Sequence, residues 1–255
     1  MGSFLWTPAL KYIMIITVVC FLIQIYFEDR GYSQSFRTVF ELVPALVRGG
    51  HIWQLLTYGL LHNGFGHIFW NMFILWMFGK DVEQALGKER FVALYVLSIV
   101  VAGVCSCILA SHASVVGASG GVFAVLVAFG MLFPKRIVLF MFFIPMPARI
   151  AVFLFILIAF WAGGGGEHTA HFAHLGGLAF GYLFVKTRPR WEKYLAGIAL
   201  SNPQELEEDD GSDVTLEEEV EMDRLLGKIK NEGLHKLTWR EKRFLDQISQ
   251  RLRNR

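Results

Sequence analysis

Six runs of apolar residues, separated by short polar or glycine-rich stretches, occupy most of the first 190 residues of the chain. A helix needs about 20 apolar residues to span a bilayer. Four of the runs approach that length, and the fourth run, which is shorter, is closed by Pro134. The pattern predicts six transmembrane helices, the fourth of which stops short of one membrane face. The runs cover approximately residues 10–27, 66–84, 91–110, 119–133, 149–161 and 169–186.

The pattern changes after Trp191, where charged residues replace the apolar runs. Residues 204–221 are acidic and residues 224–255 are basic, which is typical of solvated faces. We therefore predict two domains, an all-α membrane domain of six helices over residues 1–193 and a cytoplasmic helical extension over residues 203–255.

Local signals in the extension predict a small helical hairpin. Thr215-x-x-Glu218 and Thr238-x-x-Glu241 have the capping-box spacing that marks helix starts, and Gly233 is the predicted stop between them. Such a hairpin would pack on itself or dock a cytoplasmic partner. Its apolar faces would comprise Val220, Leu225, Leu226 and Ile229 in the first helix, and Phe244, Leu245, Ile248 and Leu252 in the second.

Composition supports a membrane protein. Apolar residues make up 54% of the chain and the mean hydropathy is +0.45, whereas soluble domains contain about 45–50% apolar residues. No basic groove motif is present, so no nucleic-acid partner is predicted. The three cysteines lie in apolar runs and are interpreted as small buried hydrophobes. No small-residue cleavage site follows the long first run, so no cleavable signal peptide is expected.

Positive charges predict the orientation, because cytoplasmic loops are enriched in Lys and Arg. Residues 111–116 and 162–168 contain neither, and the longer loop 28–65 carries arginines together with acidic residues. Both termini are therefore predicted to be cytoplasmic, in a multi-pass protein of the cell (inner) membrane. The charges that decide this lie after runs two, four and six: Lys80, Lys88, Arg90, Lys135, Arg136, Arg149, Lys186, Arg188, Arg190 and Lys193.

In this orientation, runs two, four and six enter from the outside and carry polar residues near their first turns. A rise of about 1.5 Å per residue across a core of about 30 Å puts His67, Ser119 and His174 at a similar depth, roughly 6–12 Å below the outer surface. Polar groups inside a membrane are costly and are functional candidates by default. We therefore expect one common site.

Ser119 is a candidate nucleophile at the start of the fourth helix. The free N–H groups of a helix N-terminus stabilise a developing oxyanion, and Gly117 and Gly120 permit a tight turn and close approach of a substrate. Taken alone, a serine in this position is more often an N-cap, and the other polar residues at the same depth favour the nucleophile. His174 is the candidate base, because Gly177 and Gly181 form a small-residue face that would pack the sixth helix against the fourth.

His171, one turn earlier, is a weaker candidate base because it lies outside the glycine register. No Asp or Glu lies in helices two, four or six near the depth of His174, so the pattern favours a Ser–His dyad.

His67 and Asn71 lie four residues apart on one helical face, and both can donate hydrogen bonds to an oxyanion. Alternatively, they act as polar contacts between helices. A metal site formed by His62, His67 and His174 is a weaker alternative, because no Glu completes a zinc motif. Neither a metal nor another cofactor is predicted.

These residues resemble the rhomboid family of intramembrane serine proteases over roughly residues 45–187. The shared motifs are His67-x-x-x-Asn71, Gly79-x-x-x-Glu83, Gly117-x-Ser119-Gly120, Ala173-His174 before Gly177-x-x-x-Gly181, and Trp53 in the first loop. The resemblance implies a six-helix bundle with a cavity open to the outside. It also implies Ser119 as nucleophile and His174 as general base, with His67, Asn71 and the Ser119 N–H as oxyanion donors.

The sequence departs from the family pattern at two positions. Phe123 replaces a tyrosine that stacks on the histidine in many relatives, so the ring is kept and the hydroxyl is lost. Gln54 replaces an arginine after the loop tryptophan, which questions any salt bridge between this loop and Glu83.

The sequence therefore predicts an intramembrane serine endopeptidase. Its partners would be the lipid bilayer and single-span membrane proteins, which it would cleave in or near their spanning segments. The principal alternative is an inactive rhomboid-like protein that binds transmembrane helices. A six-helix transporter with a His and Asn proton relay is a third class, but no convincing internal repeat supports it.

Overall fold

The computed structural model describes residues 6–110, 114–141, 143–162, 168–200, 216–233 and 236–253. The chain divides into two compact units, Met1–Trp191 and Glu192–Arg255, which are described separately. The predicted domain limits at residues 193 and 203 stay predictions. Helix α9 continues without a break past residue 193 and ends at Leu200.

A helix occupies each of the six predicted apolar runs. By length and composition, α1 and α6 can cross a membrane, while α7 and α8 are apolar but shorter. The prediction that six helices span the bilayer therefore stays a prediction. The helices begin and end as follows: α1 Pro8–Asp29, α2 Ser33–Phe40, α3 Pro44–Arg48, α4 Gln54–Thr57, a 3-10 turn Tyr58–Leu60, α5 Phe65–Leu86, α6 Lys88–Leu109, α7 Ser119–Leu132, α8 Ala148–Ala162 and α9 His168–Leu200.

The structure is mostly helical, as the predicted fold class requires, but it adds two short antiparallel strands after α7, β1 Ile137–Phe140 and β2 Ile144–Pro147. Pro145 and Pro147 lack a backbone N–H and would interrupt a helix, whereas an edge strand accepts them. The first loop is also more ordered than predicted, because α2, α3, α4 and the 3-10 turn lie within it.

The short helix α7 lies at the centre of the first unit, in contact with α5, α6 and α8. Nine of its 14 residues are buried, on all sides of the helix. A helix that is apolar all round is buried, either by other protein elements or by lipid, and here the neighbouring helices bury most of it. The first residue of α7, Ser119, is therefore carried by the most enclosed helix of the unit.

Glu83 on α5 holds the beginning of α1. Its carboxylate accepts hydrogen bonds from the backbone N–H groups of Ala9 (3.0 Å) and Leu10 (2.8 Å) and from the Thr7 hydroxyl (2.5 Å). These groups would otherwise be unsatisfied at a helix N-terminus. Glu83 therefore caps α1 and, within the described residues, does not form the salt bridge with the first loop that the family pattern implies.

Gln54 has a separate structural role within the first loop. Its buried side chain accepts a hydrogen bond from the Val43 N–H (3.1 Å) and donates one to the Thr38 carbonyl (2.8 Å). It thereby ties the end of α2 to the beginning of α3.

The second unit contains α10 (Leu216–Glu232) and α11 (Trp239–Arg253). The predicted capping box is confirmed, because the Thr238 N–H donates to the Glu241 carboxylate (2.7 Å) and the Glu241 N–H donates to the Thr238 hydroxyl (3.3 Å). The stop at Gly233, which has φ +86°, is also confirmed. Thr215 lies outside the described residues.

The predicted apolar faces of the extension are only partly buried. Leu225 and Ile248 are fully buried, but Leu226 is 50% exposed and does not belong to the packed face. The side chains of Val220 and Leu252 lie outside the described ones. Lys228 and Arg224 on α10 reach Glu241 on α11, at 3.0 and 3.2 Å.

Candidate active site

The structure brings Ser119 and His174 together. The His174 Nε2 lies 2.9 Å from the Ser119 hydroxyl oxygen, which is hydrogen-bonding distance. The two residues are 55 positions apart in the chain and lie near the beginnings of α7 and α9. This pair has the geometry that a nucleophile and its general base require.

Close backbone contact between α9 and α7 sets this distance. A Cβ atom added to Gly177 would lie within 3 Å of the Gly120 backbone, and one added to Gly181 would lie 2.7 Å from the Ala124 Cα. Real Cβ atoms do not approach so closely, so these positions require glycine for space. The small-residue face predicted on α9 therefore packs against α7, one turn from His174.

His67 presents its Nε2 edge to the turn that precedes Ser119. Its Nδ1 accepts a hydrogen bond from the Asn63 backbone N–H (3.3 Å), which assigns the ring proton to Nε2. A Cβ atom on Gly117 would lie 2.8 Å from that Nε2, and Gly117 has φ +127°. Glycine is thus needed at this position both for its conformation and for the approach of the donor.

Asn71 is placed differently from the other predicted oxyanion donors. Its side-chain amide donates to the backbone carbonyl of His67 (2.9 Å), and the residue does not line the cavity that contains Ser119. One amide hydrogen remains after this bond. The structure therefore brings His67, Ser119 and His174 together, and leaves Asn71 one turn behind His67.

Aromatic rings surround His174. The Phe123 ring centroid lies 4.5 Å from the imidazole centroid, so the ring contact of the missing tyrosine is kept. Phe160 lies 6.0 Å from His174 and stacks on His171 at 5.3 Å. Within the described part of the chain, the buried Nδ1 of His174 has no hydrogen-bond partner. Among the described residues, no third group therefore orients the imidazole in the manner of a triad, and the ring contacts with Phe123 and Phe160 hold it instead.

His62, one of the alternatives for a metal site, is fully buried, and its ring lies 5.0 Å from that of His67. Gln24 on α1 fixes its backbone by accepting from the His62 N–H (3.0 Å) and donating to the His62 carbonyl (2.9 Å). Sequence reasoning missed Gln24, although a glutamine inside an apolar run is the signal that could have found it. Among the described residues, no three His, Cys, Asp or Glu side chains are grouped to hold a metal ion.

A cavity of about 370 Å³ surrounds the Ser–His pair. Two of its lining residues, Arg37 and Glu41, are charged and come from the end of α2, which sequence reasoning treated as loop. Their spacing of four on an amphipathic stretch was the available signal. The lining residues are Arg37, Glu41, Asn63, His67, Ser114, Val115, Val116, Ser119, Ala173 and His174.

A family profile described as the Rhomboid domain matches residues 49–190, more than half of the 255-residue chain. The chain belongs to the rhomboid family. Rhomboid proteins are membrane proteins, and the apolar helices described above agree with this. A second profile, described as a family of unknown function (DUF6576), matches residues 215–251, which include α10 and most of α11.

Curated rhomboid proteins are similar to about half of this chain. RHOMBOID-like protein 6, mitochondrial, from Arabidopsis thaliana is 29% identical over 58% of this chain and 49% of its own length. Rhomboid protein 1, mitochondrial, from Saccharomyces cerevisiae is 35% identical over 48% of this chain and 38% of its own. Rhomboid protease GluP from Bacillus subtilis is 30% identical over 54% of this chain and 26% of its own. The chain thus spans less than half of each of these relatives.

Proposed function

We propose that this rhomboid protein is an intramembrane serine endopeptidase that cleaves membrane-anchored proteins through Ser119 and His174. The observation that supports this most directly is the 2.9 Å contact between the His174 Nε2 and the Ser119 hydroxyl. The similarity to a relative named as a protease agrees with it.

In the proposed reaction, the neutral His174 imidazole accepts the Ser119 proton at Nε2 as the hydroxyl oxygen attacks a substrate carbonyl. The resulting oxyanion accepts hydrogen bonds from the Ser119 N–H at the N-terminus of α7 and from the His67 Nε2–H. Asn71 holds the first turn of α5 in place through its hydrogen bond to the His67 carbonyl. Its second amide hydrogen is free to donate to the oxyanion. His174 then returns the proton to the leaving amine, and a water molecule that enters the polar cavity hydrolyses the acyl-enzyme.

The proposed substrates are single-span membrane proteins. A spanning helix shields its carbonyl groups in backbone hydrogen bonds, so it must unwind locally before Ser119 can attack one. Substrates should therefore carry helix-destabilising residues such as Gly, Ser or Pro close to the outer end of the spanning segment.

A serine-reactive fluorophosphonate tests the proposal directly. The wild-type protein in membranes should be labelled at Ser119 and should cut a single-span test protein, whereas Ser119→Ala should do neither. Ser114→Ala is the matched control, because Ser114 lines the same cavity, and it should keep both properties. A wild-type protein that binds the test protein without labelling or cleavage would support the inactive, helix-binding alternative.

We also propose that the protein lies in the cell (inner) membrane with both termini cytoplasmic and the cavity open to the opposite side. In a background without the three native cysteines, Ser35→Cys in α2 should react with an impermeant thiol reagent from outside. Ser249→Cys in α11 should react only after the membrane is opened. The opposite labelling pattern would reverse the proposed orientation.

A further inference from the structure

The two charged residues that line the cavity, Arg37 and Glu41, differ in the hydrogen bonds that they form. Arg37 is paired at 2.9 Å with Glu28 on α1 and donates at 3.0 Å to the Asn63 side chain. Its distance to Glu41 is 3.8 Å, which is outside hydrogen-bonding range. The guanidinium therefore forms its hydrogen bonds with Glu28 and Asn63, and its ion pair with Glu41 is looser and has no hydrogen bond.

The Glu41 carboxylate can therefore accept hydrogen bonds from a bound substrate. Its side chain is 14% exposed and lines the cavity that contains Ser119 and His174. In the described part of the chain, no hydrogen bond to this carboxylate is present. Glu28 already pairs with Arg37, so among these three charged groups the Glu41 carboxylate is in excess and should attract a cation.

Glu41 is also held in a fixed position relative to the nucleophile. Its neighbour Leu42 forms a two-bond backbone bridge with Val115, with distances of 3.1 and 3.0 Å. Val115 precedes Ser119 by four residues. The Thr57 hydroxyl donates to the Phe40 carbonyl at 2.8 Å on the other side of Glu41. A charge on such a rigid support can discriminate between substrates with little reorganisation.

We propose that Glu41 forms an acidic subsite that binds a lysine or arginine side chain of the substrate close to the cleaved bond. This inference rests on the proposed protease function and adds a substrate preference to it. A basic side chain gains a direct ion pair with the Glu41 carboxylate, whereas an acidic side chain is repelled by it and is disfavoured.

The size of the cavity limits where this side chain can lie. An extended peptide advances about 3.3 Å per residue, and a cavity of about 370 Å³ accommodates only a few residues. The position that Glu41 contacts therefore lies within about three residues of the cleaved bond.

The test uses the full chain and a single-span protein that the wild type cleaves. Gln, Lys or Glu is placed in turn at each of three positions on either side of the cleaved bond, and kcat/KM is measured. At one position the wild type should prefer Lys over Glu by about tenfold, as expected for a charge contact in a partly hydrated site. Glu41→Gln should remove most of this preference, and Glu41→Lys should reverse it.

Matched variants separate the subsite from general effects. Asp29→Asn removes an exposed carboxylate that does not line the cavity, and it should leave the preference within twofold. Cleavage of the Gln substrate and fluorophosphonate labelling report whether each variant is folded and active.

Two results would overturn the subsite while leaving the protease intact. One is equal cleavage of the Lys and Glu substrates by the wild type at all six positions. The other is an unchanged preference in Glu41→Gln. If the wild type shows neither labelling nor cleavage of any substrate, the protease proposal itself fails, and the subsite fails with it.

Discussion

The site around Ser119 and the α10–α11 extension use polar groups in opposite ways. At the site, a neutral serine and a neutral imidazole share one hydrogen bond between tightly packed helices. In the extension, the carboxylate of Glu241 accepts from a backbone N–H and from the side chains of Lys228 and Arg224. The first arrangement is a single hydrogen bond between two packed helices, and the second is a group of charged contacts at the surface of the extension.

The two regions differ in the free energy that each polar contact contributes. Exposed ion pairs contribute about 0–1 kcal/mol each, because water competes for both charges. A polar group that loses its partner inside a packed site costs about 1–3 kcal/mol. We therefore expect the largest effects from changes that separate Ser119 from His174, and the smallest from changes at Glu241.

The largest effect is expected when either member of the pair is removed. Ser119→Ala, His174→Ala and the double variant should each lower kcat by at least about 10⁴-fold, because residues that act as a unit are not additive. Cleavage assays on folded protein in membranes measure this. A double variant much slower than either single one would show that the residues act independently.

A large effect without any chemical change is expected from Gly177→Ala. The added Cβ meets the Gly120 backbone, so α9 must move and His174 moves with it. A displacement of about 1 Å can cost about 10²-fold in rate. The control is Gly66→Ala in α5, where a Cβ meets nothing within 4 Å, and its activity should stay within twofold. Equal activity of the two variants would mean that this contact does not position the base.

An intermediate effect is expected from Asn71→Ala. A sole oxyanion donor is worth about 10²–10³ in kcat. Because Asn71 is already bonded to the His67 carbonyl and lies outside the cavity lining, the loss should be nearer tenfold, with KM unchanged. Normal turnover per folded molecule combined with a lower melting temperature would instead assign Asn71 a purely structural role.

The smallest effect on cleavage is expected from Glu241→Gln, which should stay within twofold of the wild type. The Thr238 N–H and Lys228 lower the pKa of Glu241 to about 2 in the folded extension, from about 4.3 in an unfolded chain. A lowered carboxyl pKa stabilises the fold above the unfolded value, and the contribution is lost as the pH falls through about 2.

Carbon NMR of the Glu241 carboxyl group in the full chain measures this titration. Glu241→Gln should abolish the corresponding pH dependence of the Thr238 amide signal. A Glu241 carboxyl that titrates at its ordinary value would mean that the contacts between α10 and α11 do not form in solution.

Much of the local structure was determined by the sequence alone. The apolar runs predicted the positions of six helices, because the pattern of apolar residues shows that a segment is buried without showing what buries it. The capping box at Thr238 and the stop at Gly233 were equally readable, since both act within one helical turn. The motif at Ser119 and His174 identified the family and the candidate nucleophile and base.

Other features were decided only by tertiary contacts. Glu83 could bond to the first loop or to the beginning of α1, and the choice depends on which element packs against α5. The Gly79-x-x-x-Glu83 motif lies on one helix and does not show which element that is. The same holds for Gln24, which holds the His62 backbone from 38 residues away.

The composition of the cavity depended on the fold most strongly. Glu41 lies 78 residues before Ser119 in the chain, and it reaches the cavity because Leu42 pairs with Val115 across two loops. Asn71 shares a helical face with His67 but is turned back onto its own helix. Sequence periodicity reports the face of a helix, whereas the partner that each side chain finds on that face is set by the packing of distant segments.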